Sequence, residues 1–342
     1  MEQTKRDNYY DYLRGIAIFL VFLGHSLQYG HGEEYLHSEL FWQSPYMKII
    51  YSFHMALFVL ISGYFSYFSI KRHGAFPFLK KRIINLSIPS ITWTIALMFL
   101  MKAIGREVYF RSFFSNVFDC FWFLWTILFS SALLVLVEIV IPKKFRIISY
   151  VAIFIIFLFS PDGIWLHAHK YMFPFFVFGY YAGKNNLLYS LRNKKICFSS
   201  FLIWAILLLF YNKDSYIYTS KFSLLNRGGY SNSLHFLEID IYRYIIGFAG
   251  CFFVISFTLL IWNKVSKNNY LTNILIDMGK NSLPLYIISR FLYTYGIYHM
   301  PIPVQPMLIT SVLLSIVMIC ICYIMYFIIK QNKYLSFILI GK

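Results

Sequence analysis

The sequence has 342 residues and is too apolar for a water-soluble protein of that length. Hydrophobic residues make up 59% of it and charged residues only 13%, whereas a soluble domain is nearer half apolar and a quarter charged. A net charge of +17 would suggest nucleic acid as the partner of a soluble protein, but no basic stretch lies on a soluble module, which argues against nucleic-acid binding. We therefore expect an integral membrane protein whose basic residues set its orientation and meet anionic lipid.

Apolar segments recur along the whole chain at lengths that suit membrane-spanning helices. A helix needs about 20 apolar residues to cross the hydrocarbon layer. The expected fold is all-α, a polytopic transmembrane bundle of about ten helices in a single membrane-embedded domain over residues 1–342. Because the fifth and sixth segments are short, a re-entrant pair over 147–184, and so eight crossings, is the alternative. The ten segments are 13–30, 46–70, 84–104, 120–141, 147–161, 171–184, 196–211, 240–262, 274–298 and 306–329.

Basic residues are distributed unevenly between the two sides of this map. With the N-terminus inside, the inner segments hold 20 of the 31 Lys and Arg residues and the outer segments hold nine. Cytoplasmic loops carry an excess of Lys and Arg, so both ends of the chain are expected to be cytoplasmic. The longest outer segment, about 212–239, contains a turn signal at 226–230 and is too short for an independent domain.

Two ionisable residues in the first segment are the clearest functional candidates, because such groups are costly inside a membrane. Arg14 and His25 are 11 residues apart, which is three helical turns plus about 20°, so both lie on one helix face about 16 Å apart along the axis. Taken one at a time, Arg14 could be an interfacial anchor and His25 a structural histidine. A single helix face that lines a functional site explains both residues together.

The second segment contributes His54, predicted at a similar depth to His25. Two histidines at one depth can act as a general base and its orienting partner, although His54 could also only bridge helices. Elsewhere, Arg82 lies in a basic inner loop with Lys81, and Trp122 could belong to an interfacial aromatic belt. His167 and His169 have no third ligand nearby, so no metal is expected.

Several motifs, taken in order, resemble the integral-membrane acyltransferase 3 family over nearly the whole chain. Two positions depart from the family pattern: Asn85 stands where a second basic residue is frequent, and Ser289 followed by Arg290 stands where a His is frequent. The chain also ends soon after the tenth segment, as in members without an appended esterase-like domain. The matching motifs are Tyr12-Leu13-Arg14-Gly15-Ile16-Ala17 with its spacing to His25, FHMALFVLISGYF from Phe53 to Phe65, the basic loop ending at Arg82 with Pro89, Phe121-Trp122-Phe123-Leu124, Phe173-Pro174-Phe175-Phe176 leading to Gly179-Tyr180, and 279–286.

The resemblance implies transfer of an acyl group, usually acetyl, from an acyl-coenzyme A such as acetyl-CoA to a hydroxyl of a cell-surface glycan or lipid-linked sugar. It implies a multi-pass protein of the bacterial cytoplasmic membrane. The site residues that follow are His25 as general base with His54, then Arg14, Arg82 and Lys81 for the coenzyme A phosphates, and Trp122 and Arg290 for the acceptor.

Two other classes of function remain open at this point. A transporter or flippase for a glycan or lipid-linked sugar would also carry polar groups inside spans, although the absence of detectable internal repeats argues weakly against it. A regulatory membrane protein could bind acyl-CoA without turnover. Only an enzyme would release free coenzyme A and a modified glycan.

Overall fold

The computed structural model describes residues 8–103, 113–159, 166–216, 229–265, 269–297 and 308–342, and within these ranges all regular structure is helical. A π-helical turn, Leu292–Gly296, follows α15. The α-helices are α1 Asn8–Tyr29, α2 Gly32–His37, α3 Glu39–Gln43, α4 Pro45–Tyr51, α5 His54–His73, α6 Ala75–Ala103, α7 Phe113–Cys120, α8 Trp122–Val140, α9 Arg146–Phe159, α10 Leu166–Lys184, α11 Leu187–Ser190, α12 Lys194–Leu208, α13 Gly229–Val265, α14 Tyr270–Lys280, α15 Ser282–Phe291, α16 Leu308–Lys330 and α17 Lys333–Ile340.

Within the described residues each predicted segment contains a helix, and two of the segments are interrupted. The predicted span 46–70 is divided at Ser52 and Phe53 into α4 and α5. The predicted span 274–298 is divided at Asn281 into α14 and α15, and a π-helical turn, which is wider than an α-helix, then follows. Apolar residues flank both breaks, so an average of hydropathy runs across them, although Lys280, Asn281 and Ser282 are polar.

Five helical segments are long and apolar enough to cross a membrane: Pro45–His73, Ala75–Ala103, Trp122–Val140, Leu234–Val265 and Leu308–Lys330. The chain is therefore a membrane protein with an all-helical fold in its described residues. The count of ten crossings and the cytoplasmic position of both ends stay predictions. The alternative of a re-entrant pair over 147–184 also stays a prediction. In that region α9 and α10 are separate helices of 14 and 19 residues.

Helix ends follow local sequence signals. Ser44 precedes α4, whose first residue is Pro45, and the Ser44 side chain accepts a hydrogen bond from the Met47 amide at 3.5 Å, as an N-cap does. Asn332 caps α17 in the same way. Gly74 has φ of +85° between α5 and α6, a conformation that glycine adopts without steric cost.

The chain divides into two compact units, which are described separately. The first comprises Met1–Ile61, Asn186–Asn212 and Ile246–Met325, and the second comprises Ser62–Asn185, Lys213–Ile245 and Tyr326–Lys342. The single membrane-embedded domain over residues 1–342 stays a prediction.

In the first unit, α1 and α14 are antiparallel and in backbone contact. A Cβ placed on Gly15 would lie 1.8 Å from the Leu275 carbonyl oxygen, and one placed on Gly279 would lie 1.8 Å from the Asp11 carbonyl oxygen. The two glycines therefore make reciprocal close approaches one turn apart, as small residues do between membrane helices. This crossing joins two of the sequence motifs and holds the helix that carries Arg14 and His25.

In the second unit, a glycine also permits close packing of α5 on α10. A Cβ on Gly63 would lie 2.0 Å from the Phe176 carbonyl oxygen. Between α8 and α9, the Arg146 guanidinium bonds both the carboxylate and the carbonyl of Glu138, each at 2.5 Å. Glu138 is thus held in an ion pair within the protein.

Some sequence predictions fall on residues outside the described ranges. The turn signal at 226–230 lies mostly there, with α13 beginning at Gly229. Several residues used for the charge map, including Arg106, Arg111 and Lys221, lie there as well.

Candidate active site

Arg14 and His25 lie on one unbroken helix, α1, in the first unit. The predicted shared face and the separation of about 16 Å along the axis therefore apply to a real helix. Both side chains are partly exposed, while the neighbouring Leu13 and Ser26 are buried. His25 is one turn from the C-terminal end of α1.

His54 is held in one tautomer by the break between α4 and α5. Its Nδ1 lies 2.7 Å from the Ile50 carbonyl oxygen, and a carbonyl can only accept, so Nδ1 carries the proton. In the neutral ring, Nε2 then has a lone pair that can accept a proton. The Ile50 carbonyl lies at the C-terminal end of α4, where its backbone contact is a long one of 3.4 Å from the Phe53 amide, so it accepts the His54 proton as well.

The break itself is covered by other parts of the first unit. Ser52 Oγ donates to the Ile49 carbonyl at 2.9 Å and accepts from Trp204 Nε1 at 3.0 Å. A Cβ on Gly250 would lie 2.7 Å from the Phe53 side chain. Irregular backbone at membrane depth is tolerated where protein satisfies its polar groups, so α12 and α13 stabilise the bend that orients His54.

Tyr51 connects this bend to α1. Its hydroxyl lies 3.0 Å from both the Gly24 carbonyl oxygen and Gln28 Oε1, and its ring centroid is 4.9 Å from that of His54. Tyr51 therefore brings His54 to the turn of α1 that contains His25.

Arg290 reaches the same place from the last turn of α15. Its Nη1 donates to the Tyr29 hydroxyl at 2.7 Å. The Tyr29 and His25 ring centroids are 5.8 Å apart. The first unit thus gathers two histidines, an arginine and two tyrosines around the C-terminal turns of α1.

A buried hydroxyl network lies on the other side of His25. The Tyr293 ring is 5.4 Å from the His25 ring, and its hydroxyl is 2.7 Å from Ser26 Oγ. Ser315 donates to Ser26 at 2.9 Å or to the Ser311 carbonyl at 2.6 Å. Tyr293 belongs to the π-helical turn, a feature frequent at functional sites.

His25 itself combines a buried atom with a partly exposed ring. Its Nδ1 is buried and has no hydrogen-bond partner among the described residues, although most buried polar atoms in proteins have one. A neutral imidazole in this setting can form a hydrogen bond with a polar group of a ligand, or accept a proton from it.

The other predicted site residues lie in the second unit. Arg82 is partly exposed, and its Nη2 lies 3.4 Å from Ser66 Oγ. Lys81 is exposed, and Trp122 is buried with 6% of its surface accessible. Their binding roles stay predictions.

No cluster of three metal-ligating side chains occurs among the residues with described side chains. The His169 ring packs 4.9 Å from Phe129, whereas the side chain of His167 lies outside the described part of the chain. The absence of a metal stays an expectation.

Sequence reasoning did not single out the three tyrosines of the site. Tyr29 follows His25 by four residues, Tyr51 precedes His54 by three, and Tyr293 follows Arg290 by three. Tyr51 and His54 are separated by the break between α4 and α5, but His25 and Tyr29 share one face of α1, so that spacing was a usable signal. The high tyrosine content, 29 residues, obscured it.

Long apolar helices and a cluster of ionisable side chains within predicted spans define an integral membrane protein with a candidate acid–base site. The sequence matches the acyltransferase 3 family, described as an acyltransferase domain, over residues 7–327. The chain therefore belongs to this family.

Two curated relatives carry the name nodulation protein NolL. The protein of Mesorhizobium japonicum is 34% identical over 185 residues, which cover 52% of this chain and 48% of the relative. The protein of Sinorhizobium fredii is 30% identical over 226 residues, which cover 64% and 61% respectively. The chain thus spans about half to three fifths of the curated relatives it matches. No solved structure matches it.

Proposed function

We propose that this protein is a membrane-bound O-acyltransferase that moves an acyl group, acetyl in the first instance, from acetyl-CoA to a hydroxyl of a cell-surface glycan or lipid-linked sugar. The observation that carries the proposal is that Tyr51 and Tyr29 connect His54 and Arg290 to the turns of α1 around His25, in a member of the acyltransferase 3 family. The cellular location proposed is the bacterial cytoplasmic membrane, where the donor is available on one side.

His25 is the proposed general base. Its ring is partly exposed and lies between two tyrosine rings at 5.4 and 5.8 Å, which limit its orientation. A neutral imidazole takes the proton of the acceptor hydroxyl as that oxygen attacks the thioester carbonyl. His25 then gives the same proton to the leaving thiolate, which regenerates the base.

His54 is the second proposed participant in proton transfer. Because its Nδ1–H is given to the Ile50 carbonyl, its Nε2 is the basic atom of the neutral ring. A base with one nitrogen anchored and the other available is the arrangement found in many acyl-transfer sites. His54 would accept or relay a proton beside His25 without a change of tautomer.

Arg14 is proposed to bind the donor at the other end of the shared face of α1. Guanidinium groups make strong charge-assisted bonds to phosphate, and the extended pantetheine arm would follow the helix face toward His25. Arg82 and Lys81 are proposed as further phosphate contacts, supported by their positive charge and by the exposure of Lys81.

Trp122 and Arg290 are the proposed acceptor contacts. Arg290 has the stronger support, because it bonds to Tyr29, whose ring is adjacent to that of His25. Trp122 is buried, so carbohydrate could contact it only at the small accessible edge of its ring.

The function is tested with purified protein in lipid nanodiscs, acetyl-CoA labelled in the acetyl group, and candidate glycans. An O-acyltransferase yields labelled glycan and an equal amount of free coenzyme A. A glycan transporter yields neither product but moves unmodified glycan across vesicles, and a regulatory acyl-CoA binder retains intact donor. Either of these last results would reject the proposed enzyme.

The Arg14→Ala variant is expected to raise the KM for acetyl-CoA by roughly tenfold or more, because a charge-assisted bond contributes about 1.5–3 kcal/mol. The kcat should change less, since Arg14 is about 16 Å along α1 from His25. Steady-state kinetics with donor varied at saturating acceptor measure this. Lys264→Ala is the control, because Lys264 is exposed and belongs to the same unit. An unchanged donor KM for Arg14→Ala would remove Arg14 from the donor site.

A further inference from the structure

Arg290 and Tyr29 form a pair of hydrogen-bond donors beside His25. Arg290 Nη1 lies 2.7 Å from the Tyr29 hydroxyl oxygen, and the guanidinium carbon is 5.7 Å from the Tyr29 ring centroid. The contact is made between α1 and α15, which are packed together in the first unit. Arg290 thus extends toward the end of α1 that carries His25.

The chemistry of this pair follows from which atom donates. An arginine has no acceptor, so the Tyr29 oxygen accepts from Arg290, and the phenol proton must be donated to a different group. A phenol is neutral, so this bond leaves the guanidinium charge in place. The pair therefore offers a positive charge and two kinds of polarised donor, N–H and O–H.

The position of the pair relative to His25 is the second observation. Tyr29 is one helical turn after His25 on α1, with ring centroids 5.8 Å apart, and Arg290 Nη1 is hydrogen-bonded to the Tyr29 hydroxyl. Tyr29 is therefore adjacent to His25, and Arg290 reaches the same position through its bond to Tyr29.

Acyl transfer from a thioester creates negative charge at a defined place. His25 takes the hydroxyl proton while the hydroxyl oxygen bonds to the carbonyl carbon, and the carbonyl electron pair moves onto its oxygen. The oxyanion then reforms the double bond, the carbon–sulfur bond breaks, and the thiolate takes the proton from His25. Hydrogen-bond donors placed beforehand at the oxyanion are frequently the largest single contribution to such catalysis.

We propose that Arg290 and Tyr29 stabilise the oxyanion of the tetrahedral intermediate, so that Arg290 is a catalytic residue as well as a binding one. This inference rests on the proposed acyltransferase function. It gives a physical role to a residue that departs from the family pattern at this position.

Three variants test the pair: Arg290→Gln, Arg290→Lys and Tyr29→Phe. Removal of one oxyanion donor costs about 10²–10³-fold in kcat, and we expect this loss for Arg290→Gln with donor and acceptor KM nearly unchanged. Arg290→Lys should lose less, since the charge is retained without the planar fork. Tyr29→Phe preserves the ring beside His25 and should also lower kcat. The double variant should lose less than the product of the single losses, because the pair acts as a unit.

Hydrolysis of acetyl-CoA without acceptor separates this role from acceptor binding. Water attack passes through the same oxyanion, so Arg290→Gln should slow the donor-only hydrolysis by a similar factor. If instead hydrolysis is unchanged and only the acceptor KM rises, the oxyanion role is wrong and Arg290 is an acceptor-binding residue.

Controls distinguish the pair from folding and from failure of the function itself. Arg192→Gln and Tyr270→Phe change the same residue types elsewhere in the first unit and should leave kcat unchanged; Tyr270 is 78% exposed. An unaltered donor KM shows that the Arg290 variants are folded. Absence of transfer by the unmodified protein rejects the proposed function, whereas normal transfer by Arg290→Gln rejects only this inference.

Discussion

Replacing His25 by Gln is expected to lower the rate of acyl transfer by about 10²–10⁴-fold, the usual contribution of a general base. Glutamine is polar and of similar size, so it preserves contact with Tyr29 and Tyr293 but cannot take up a proton. The loss should fall on kcat, with the KM for acetyl-CoA nearly unchanged. Single-turnover measurements with labelled acetyl-CoA and acceptor isolate the chemical step.

The matched control for this experiment is His37→Gln, because His37 is exposed at the end of α2. It should transfer acyl groups at the normal rate. Near-normal transfer by His25→Gln would show that His25 is not the base and would favour His54.

Two substitutions at His54 separate its anchoring from its basicity. In His54→Asn, the side-chain amide nitrogen takes roughly the place of Nδ1 and can still donate to the Ile50 carbonyl, but no Nε2 remains. In His54→Gln, the longer side chain places its amide nearer the position of Nε2. Loss of kcat in both variants supports proton transfer by His54. A normal kcat in His54→Asn, with a loss in His54→Gln, would indicate that His54 only stabilises the bend.

Replacing Gly15 by Ala is expected to destabilise the protein strongly. The added Cβ would lie 1.8 Å from the Leu275 carbonyl oxygen, and backbone cannot rotate away as a side chain can. The helices α1 and α14 must separate, which costs about 1–3 kcal/mol or more for an overpacked contact, a large part of a typical folding free energy. We expect a lower yield of monodisperse protein and a lower thermal unfolding midpoint in detergent.

Gly24→Ala is the control on the same helix, because the nearest atoms to its added Cβ lie at 3.5 Å, an ordinary contact distance. Its unfolding midpoint should change little, and alanine is the better helix former. Equal midpoints for Gly15→Ala and the unmodified protein would contradict the close approach of α1 and α14.

The packing explains why particular motifs occur together along the sequence. Gly15 and Gly279 belong to motifs separated by more than 250 residues, yet each meets the backbone of the other's helix. Gly63 and Phe176 relate two further motifs in the second unit in the same way. Much of the family resemblance therefore reflects helix crossings, while His25, His54 and Arg290 carry the proposed chemistry.

The helices themselves were predictable because apolar runs and charge bias act locally. Within the described residues each predicted span contains a helix, and Arg14 and His25 share α1 as their spacing required. The breaks at Ser52 and Asn281 were not predicted. The first is stabilised from far along the chain, by Trp204 bonding to Ser52, whereas the second falls in the polar run Lys280-Asn281-Ser282, which was a usable local signal.

By itself, the sequence determined that this is an all-helical membrane protein and that Arg14 and His25 lie on one helix, because helix period and hydropathy are properties of neighbouring residues. Only the tertiary structure decided that Tyr51, next to His54, bonds to α1 beside His25 and that Arg290 meets Tyr29 there. Those contacts join residues from different helices, and no local pattern specifies which helix faces approach each other. The proposed base, its partner and the oxyanion donors are therefore a product of packing.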